Sequence, residues 1–380
     1  MRILHTADWH LGRVFYQESL LDDQAHLLEQ LMRGLKESHA DVLIIAGDIF
    51  DRPNPKREAV ALFDDFLTQV YRDTKTAIVA IAGNHDAPER VAFGRGLQDT
   101  KRVLIRGPLE AVSTPLVLED KHGKVAFSAL PFGEVYAGRS IFNDLSIAEP
   151  ADVLATQMWS AKASVPTNCR WVVTAHAFVA GSATTESERP LGPVGGVETV
   201  SPLVFDGAHY VALGHLHRSQ QAGRKQIRYS GSWMAFDFDE VSQDKSFTLV
   251  ELDGTGETSV EQIPFMPKRQ SRVIEGLLQD LLAAGQTKPT TDFVKARLSD
   301  EGALVDPMSR LRAIYPNIMQ LERTRRPSLT TVGGIKICRD LHEPQKLLAA
   351  FSQEVRGSDL SVAENEQIQL LLARLQTEDC

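Results

Sequence analysis

Five short apolar runs in this chain each end on residues able to hold a metal ion. Asp8 and His10 follow the first, Asp48 follows the second within Gly47-Asp48-Ile49-Phe50-Asp51, and Gly83-Asn84-His85-Asp86 follows the third. His176 follows the fourth, and Gly214-His215-Leu216-His217 the fifth. Singly, each is ambiguous: a Gly-Asp after a strand is usually a turn, and a lone histidine beside an apolar run is usually structural. Five in succession predict convergence, because ligands of open α/β sheets gather beyond the carboxyl ends of the strands. The donor set points to divalent-metal chemistry. Carboxylate, amide and imidazole donors without thiolates suit Mn²⁺ better than structural zinc.

The runs that must position these residues are Arg2–Thr6, Val42–Ala46, Ile78–Ala82, Trp171–Ala175 and Tyr210–Leu213, with Val125–Leu130 beside them. Apolar on both sides, they read as buried central strands. Helical patterns separate the early ones. Ser19–Ser38 carries Leu20, Leu27, Leu31 and Leu35 on one face, and Arg57–Arg72 carries Val60, Phe63, Phe66, Leu67 and Val70. Strands alternating with helices build βαβ units, so the expected fold class is α/β, a layered core of mixed β-sheets flanked by helices. Ile227–Ser232 and Ser246–Leu252 follow without long helices and are expected on the antiparallel side of a mixed sheet or in a second sheet.

Pro264, Pro267, Lys268 and Arg269 mark a linker. Beyond it the patterns predict a helix from about Val273, a strand over Phe293–Leu298 and a helix over Pro307–Arg323. Helices over Glu343–Val355 and Val362–Leu375 follow, separated by Gly357. The expected organisation is a core domain over residues 1–264, a small α/β domain over 271–326 and a helical segment over 340–380. That last segment carries Leu347, Leu348, Phe351, Ile368, Leu370, Leu371 and Leu375, too many apolar residues for a free tail. Packing on the protein itself and docking on a partner both account for them.

Asp-x-His, Gly-Asp, Gly-Asn-His, a single His and Gly-His-x-His in that order resemble the signature of the calcineurin-like metallophosphoesterase superfamily, and this sequence supplies every element. The resemblance implies one ion held by Asp8, His10, Asp48 and His217 and a second by Asp48, Asn84, His176 and His215. Asp48 would bridge them. Two-metal hydrolases use such a bridge at about 3.5–4 Å, where the ions polarise a phosphate and lower the pKa of water. His85 falls outside the ligand set and is expected to stabilise the transition state or protonate the departing oxygen. Asp51 or Asp86 is expected to orient His85, cap a helix or close a turn.

Within the superfamily, Met1-Arg2-Ile3-Leu4-His5-Thr6-Ala7-Asp8-Trp9-His10-Leu11-Gly12 looks like the start of SbcD-type nucleases. The stretch from Gly181 through Glu186-Ser187-Glu188-Arg189 to Gly195-Gly196 is similar to the one those nucleases carry before Gly-His-x-His. Asp51-Arg52-Pro53 and Asp86 depart from the Asp-Arg-Gly and Gly-Asn-His-Glu of serine/threonine phosphatases. The resemblance implies a Mn²⁺-dependent exonuclease and endonuclease with two ions per chain, Mg²⁺ being a substitute. It would act on DNA ends and hairpins in double-strand-break and replication-fork processing. The small domain would cap the active site, and the terminal helices would dock on an SbcC-type ATPase. A homodimer within a heterotetramer completes the implied assembly.

A net charge of −9 argues against a chain wrapped in phosphate backbone, though not against a local basic groove. Arg13, Arg52 and Arg90 each follow closely on a metal motif and are the expected phosphate contacts; Arg323, Arg325 and Arg326 form a further basic cluster. The three cysteines, Cys169, Cys338 and Cys380, show neither finger spacing nor a disulfide framework, and no apolar stretch spans a bilayer. A cytoplasmic location is the resulting expectation. Two rivals remain: a small-molecule phosphodiesterase or phosphatase, which would not need the C-terminal additions, and a non-catalytic scaffold tethering DNA ends, which would not need an intact ligand set.

Overall fold

A computed structural model describes residues 1–185, 187–188, 199–301, 304–324 and 344–378. The chain divides into two compact units, Met1–Ser271 and Arg272–Cys380. In the first, two six-stranded mixed sheets carry the fold. One runs in the order Thr258–Pro264, Ser246–Leu252, Arg2–Thr6, Val42–Ile45, Ala77–Ile81, Val103–Arg106. Its last four strands are parallel, while Ser246–Leu252 and Thr258–Pro264 add as an antiparallel edge. The other runs Gln220–Ala222, Arg224–Tyr229, Tyr210–Gly214, Arg170–His176, Gly123–Leu130, Leu116–Asp120, parallel inside and antiparallel at both edges. The late strands thus split as the sequence allowed: Ser246–Leu252 takes the antiparallel edge, and Arg224–Tyr229 enters the second sheet.

Burial explains the doubly apolar runs. Ile3, Val42, Ile44 and Val79 of one sheet pack in a common core with Val125, Phe127, Val172, Tyr210 and Ala212 of the other. The outer face of the second sheet, through Trp171, Val173 and Val211, packs on Leu154, Met158 and Ala161 of helix Pro150–Ser164. Helices Leu21–Glu37 and Arg57–Asp73 cover the outer face of the first. A Cβ added at Gly34 would stand 2.5 Å from the Phe247 ring, and Trp9 meets Phe63 and Phe66 edge to face. The result is helices outside two face-to-face sheets, with Val42–Ile45, Ala77–Ile81, Arg170–His176 and Tyr210–Gly214 buried on both sides.

Helix Pro150–Ser164 escapes a periodicity reading because its apolar residues are not confined to one stripe; Val153 and Met158 are buried while Trp159 is 76% exposed. Its start is nonetheless well specified, by Pro150 in the first turn and a reciprocal Glu149–Asp152 capping box. The Pro-rich linker is tied down locally. Gln30 exchanges two hydrogen bonds with the Met266 backbone, and Arg269 ion-pairs with buried Asp23.

The second unit corrects two expectations. The segment from Val273 is no helix: Ser271–Gly276 is a strand, and the helix begins only at Leu278, where the Asp300 carboxylate accepts the Leu278 N–H. Helix Pro307–Arg312 stops well short of Arg323, because Pro316 lacks the N–H a further turn requires. Ile318–Arg323 is instead a strand, parallel to Phe293–Leu298, in a sheet ordered Ser271–Gly276, Phe293–Leu298, Ile318–Arg323. Leu278, Leu281, Val294, Ala296, Leu298, Leu311, Tyr315 and Ile318 form its core. Helices Pro344–Arg356 and Val362–Glu378 follow, with Leu348, Phe351, Leu370 and Leu371 among their exposed residues. No helix among the described residues is long and apolar enough to cross a membrane. Cys169 is a free thiol; Cys338, Cys380, Arg325 and Arg326 lie outside the described residues.

Candidate metal centre

The loops after the first two strands run alongside each other as a backbone zipper. The N–H groups of Asp8, His10 and Leu11 donate to the carbonyls of Gly47, Asp48 and Ile49. Asp8, His10, Asp48 and His215 all adopt positive φ, at 54°, 46°, 49° and 106°. Left-handed backbone in non-glycine residues is uncommon and each instance costs on the order of 1–3 kcal/mol, and such residues tend to cluster at functional sites. Cross-braces fix the carboxylates: Asp8 accepts the His215 N–H at 2.9 Å and Asp48 the His85 N–H at 2.9 Å. Gly83 sits so close that a Cβ there would lie 2.2 Å from Asp48 Oδ1.

All of these side chains are buried and their donor atoms converge. Asp8, His10 and His217 place one ligand atom each within 4.8 Å of one another, as do Asp8, Asp48 and His176. A third such group joins His10, Asp51 and His85, a combination the sequence did not single out. His10 Nε2 stands 3.2 Å from His217 Nε2 and 3.7 Å from Asp48 Oδ2; His176 Nε2 stands 2.9 Å from Asn84 Oδ1 and 3.5 Å from Asp48 Oδ1. The His215 ring packs against His176 at 5.4 Å between centroids.

The donor set fits divalent cations. His176 Nδ1 faces the Ala46 carbonyl at 2.9 Å, and a carbonyl only accepts, so Nδ1 carries the proton and the Nε2 lone pair points inward at the Asn84 oxygen. Two acceptors this close are what a cation bound to both at once would hold together. Among the described residues, Asp8 Oδ2 and His10 Nδ1 are buried without a hydrogen-bond partner. Burial, and then the neighbouring Asp48, push the Asp8 carboxyl well above its usual range. Burial and then adjacent imidazoles hold His10 and His215 well below theirs. Crowded carboxylates among neutral imidazoles make a centre that favours positive charge.

A model of the calcineurin-like phosphoesterases matches residues 1–219, and one described as the type 5 capsule protein repressor C-terminal domain matches residues 267–356. The SbcD subunit of nuclease SbcCD from Staphylococcus epidermidis is 30% identical over 374 residues, 98% of each chain. Its namesake in Staphylococcus saprophyticus is 30% identical over 376 residues, 99% of this chain and 98% of that one. The chain belongs to the SbcD family of calcineurin-like phosphoesterases. It is accordingly a metal-dependent hydrolase of the nuclease type.

Around the converging donors of this phosphoesterase lie residues whose roles sequence reading left open. His85 Nδ1 donates to the backbone carbonyl of Asp51 at 2.9 Å, so neither the Asp51 nor the Asp86 carboxylate orients the ring. The Asp51 side chain instead pairs with Arg13 at 3.1 Å and Arg52 at 3.5 Å. Asp86 accepts the N–H groups of Ile49, Phe50 and Gly83, stitching the second and third motif loops together; burial, then Asp48, push its carboxyl up to about 7. Arg13 lies over the Phe236 ring, Arg90 reaches Asn54 at 3.3 Å, and Arg52 stays largely exposed.

Sequence reading missed the residues behind His217. Glu240, fully buried, stands 3.0 Å from His217 Nδ1 and is itself paired with Lys245. The Trp9 and Trp233 rings stack at 5.0 Å. Trp233, Glu240 and Lys245 come from a segment with no metal motif, so no spacing signal marks them. Of the loop between the single His and Gly-His-x-His, Glu186 and residues 189–198 lie outside the described residues; Ser187 and Glu188 reach back to His217.

Proposed function

We propose that this chain hydrolyses DNA phosphodiester bonds as the nuclease component of an SbcCD-type assembly, cutting at ends and hairpins in the cytoplasm. The observation that carries this reading is the convergence of buried, inward-facing donors from five strand ends in a chain that aligns with SbcD nucleases over nearly its whole length. Asp8, His10, Asp48 and His217 would hold one Mn²⁺ and Asp48, Asn84, His176 and His215 the other, with Mg²⁺ a substitute. When bound, such ions supply Lewis acidity toward a phosphate oxygen and lower the pKa of water.

The chain's own residues supply the rest. With Nδ1 held by the Asp51 carbonyl, His85 presents Nε2 toward the centre, 3.9 Å from Asp48 Oδ2. That hydrogen bond serves neutral and protonated imidazole alike, so His85 takes up a proton at Nε2 and gives it to the departing sugar oxygen without moving. Arg13, Arg52 and Arg90 flank the motif loops and would hold backbone phosphates, positioning DNA without reading its sequence. The 1–264 core would form the nuclease, 271–326 is the candidate small capping domain, and 340–380 would dock on an SbcC-type ATPase through exposed residues such as Phe351 and Leu370. Phe93 and Leu97, both largely exposed after the third motif, support a homodimer face.

Cleavage of labelled linear and hairpin DNA by the purified chain, with Mn²⁺, Mg²⁺ or chelator, tests the proposal. Mn²⁺-dependent cutting that chelator abolishes is expected. Brisk hydrolysis of small phosphodiesters with DNA left intact, with and without an SbcC-type ATPase, would refute it.

A further inference from the structure

The histidines at the centre are not held alike. His176 gives its Nδ1 proton to the Ala46 carbonyl and His85 to the Asp51 carbonyl, so main chain fixes both tautomers. His217 is different: its Nδ1 lies 3.0 Å from Glu240 Oε1 and 2.7 Å from Ser187 Oγ. Ser187 in turn donates to the same Glu240 oxygen. That donation commits the only proton on the serine hydroxyl, so the remaining contacts of the triangle are satisfied only if His217 Nδ1 is the donor. The Nε2 lone pair is thereby aimed inward, 3.2 Å from His10 Nε2.

Glu240 is fully buried, and the residue that makes its charge tolerable is Lys245, whose Nζ lies 2.5 Å from Glu240 Oε2. Lys245 also donates to the His217 carbonyl at 3.0 Å and to Ser232 Oγ at 2.9 Å. The His217 N–H completes the clamp by donating to Glu188 at 2.7 Å. One ion pair therefore grips this histidine at its ring and at its main chain. Burying a full ion pair is costly, and within a core it is often matched by apolar packing, so its presence here calls for a function.

We propose that Glu240, braced by Lys245, is a positioning residue that sets the tautomer and direction of His217 and so the affinity of one of the two metal positions, leaving the other unaffected. The inference rests on the metal-centre reading given above. Carboxylates behind ligating histidines raise ligand basicity and fix the ring, and their loss typically lowers metal affinity about 10–100-fold. At the second position, assigned to Asn84, His176 and His215, His176 Nδ1 is held by the Ala46 carbonyl, with no side-chain carboxylate behind it among the described residues.

The test is Mn²⁺ binding by calorimetry to the metal-stripped full chain, with electron paramagnetic resonance of the loaded protein. Wild type, Glu240→Ala and the charge-balanced double variant Glu240→Gln with Lys245→Met are compared. Wild type should take two ions and give a spin-coupled signal. Glu240→Ala should bind one ion about 10–100-fold more weakly, the other unchanged, and at limiting Mn²⁺ show the spectrum of an isolated ion. The double variant keeps an acceptor for Nδ1–H and should fall between, with a metal-free melting curve like wild type; it carries the test if Glu240→Ala does not fold. Two ions bound with wild-type affinity in the folded variants would overturn the proposal. Equal weakening at both positions would also overturn it, since that marks a general structural role. No Mn²⁺ uptake by wild type itself would sink the metal-centre reading first, and this inference with it.

Discussion

Replacing Gly83 by alanine should damage the centre more than the fold. The new Cβ would lie 2.2 Å from Asp48 Oδ1, 2.4 Å from the Asp48 nitrogen and 2.8 Å from its Cγ. Two of these atoms belong to the carboxylate itself, so the clash falls on the proposed bridging ligand rather than on a flexible side-chain end. Gly83 lies outside the left-handed region, so the cost is one of space, not of backbone conformation. Restoring ordinary contact displaces the carboxylate by roughly 1 Å, against a ligand tolerance of about 0.2 Å. A displacement of that size costs catalysis about 100-fold, while overpacking of this kind costs about 1–3 kcal/mol of stability. The assay is Mn²⁺-dependent cleavage beside a thermal melt, with Gly96→Ala as the control, since nothing lies within 4 Å of a Cβ there. A Gly83→Ala protein with wild-type turnover and Mn²⁺ affinity would refute the argument that Asp48 must approach this close.

Three further outcomes follow from the same geometry. His85→Ala should lower turnover about 10²–10⁴-fold while leaving Mn²⁺ affinity within a few-fold, and a parallel loss of metal would show His85 to be a ligand instead. Asp86→Asn should destabilise by about 1–3 kcal/mol, because one amide oxygen cannot accept the N–H groups of Ile49, Phe50 and Gly83; a melt matching wild type would contradict that role. Asp120→Asn probes the far end of the sheets. Burial alone would raise the Asp120 carboxyl, but Arg170 and the Met1 ammonium outweigh it and hold the group below the usual range. A depressed folded pKa stabilises above the unfolded value of about 3.9 and loses that contribution as pH falls further. The variant should therefore be less stable by about 1 kcal/mol at pH 7, since solvent screens the pair, with the gap closing below about pH 4; a gap that persists in acid would break the linkage.

Strand-end motifs were legible because each required residue sits next to the element that aims it. Arg2–Thr6, Ser246–Leu252 and Phe293–Leu298 have the bounds their apolar patterns give, and the other central strands shift by a residue or two at most sites. What stayed illegible was held by distant or local exceptions. Glu240 reaches His217 from a 3₁₀ turn 23 positions on, and nothing in Asp237-Phe238-Asp239-Glu240 distinguishes a buried brace from a solvated acidic run. Ser271–Gly276 and Ile318–Arg323 are short and mixed in polarity, so period alone did not separate strand from helix; Pro316 was the available stop signal. Helix Pro150–Ser164 lacks a clean apolar stripe, although Glu149-Pro150 and Asp152 spell its start. The roles of Asp51 and Asp86 depend on which atoms face His85, a matter of loop geometry that residue order does not encode.

Anomalous diffraction at the manganese edge, from crystals of the full chain equilibrated with Mn²⁺, would locate the ions at the centre. Two peaks about 3.5–4 Å apart are expected on either side of the Asp48 carboxylate, one beside His10 and His217 and one beside Asn84, His176 and His215. No peak at Asp48, or a single one bound by His10, Asp51 and His85, would contradict this arrangement.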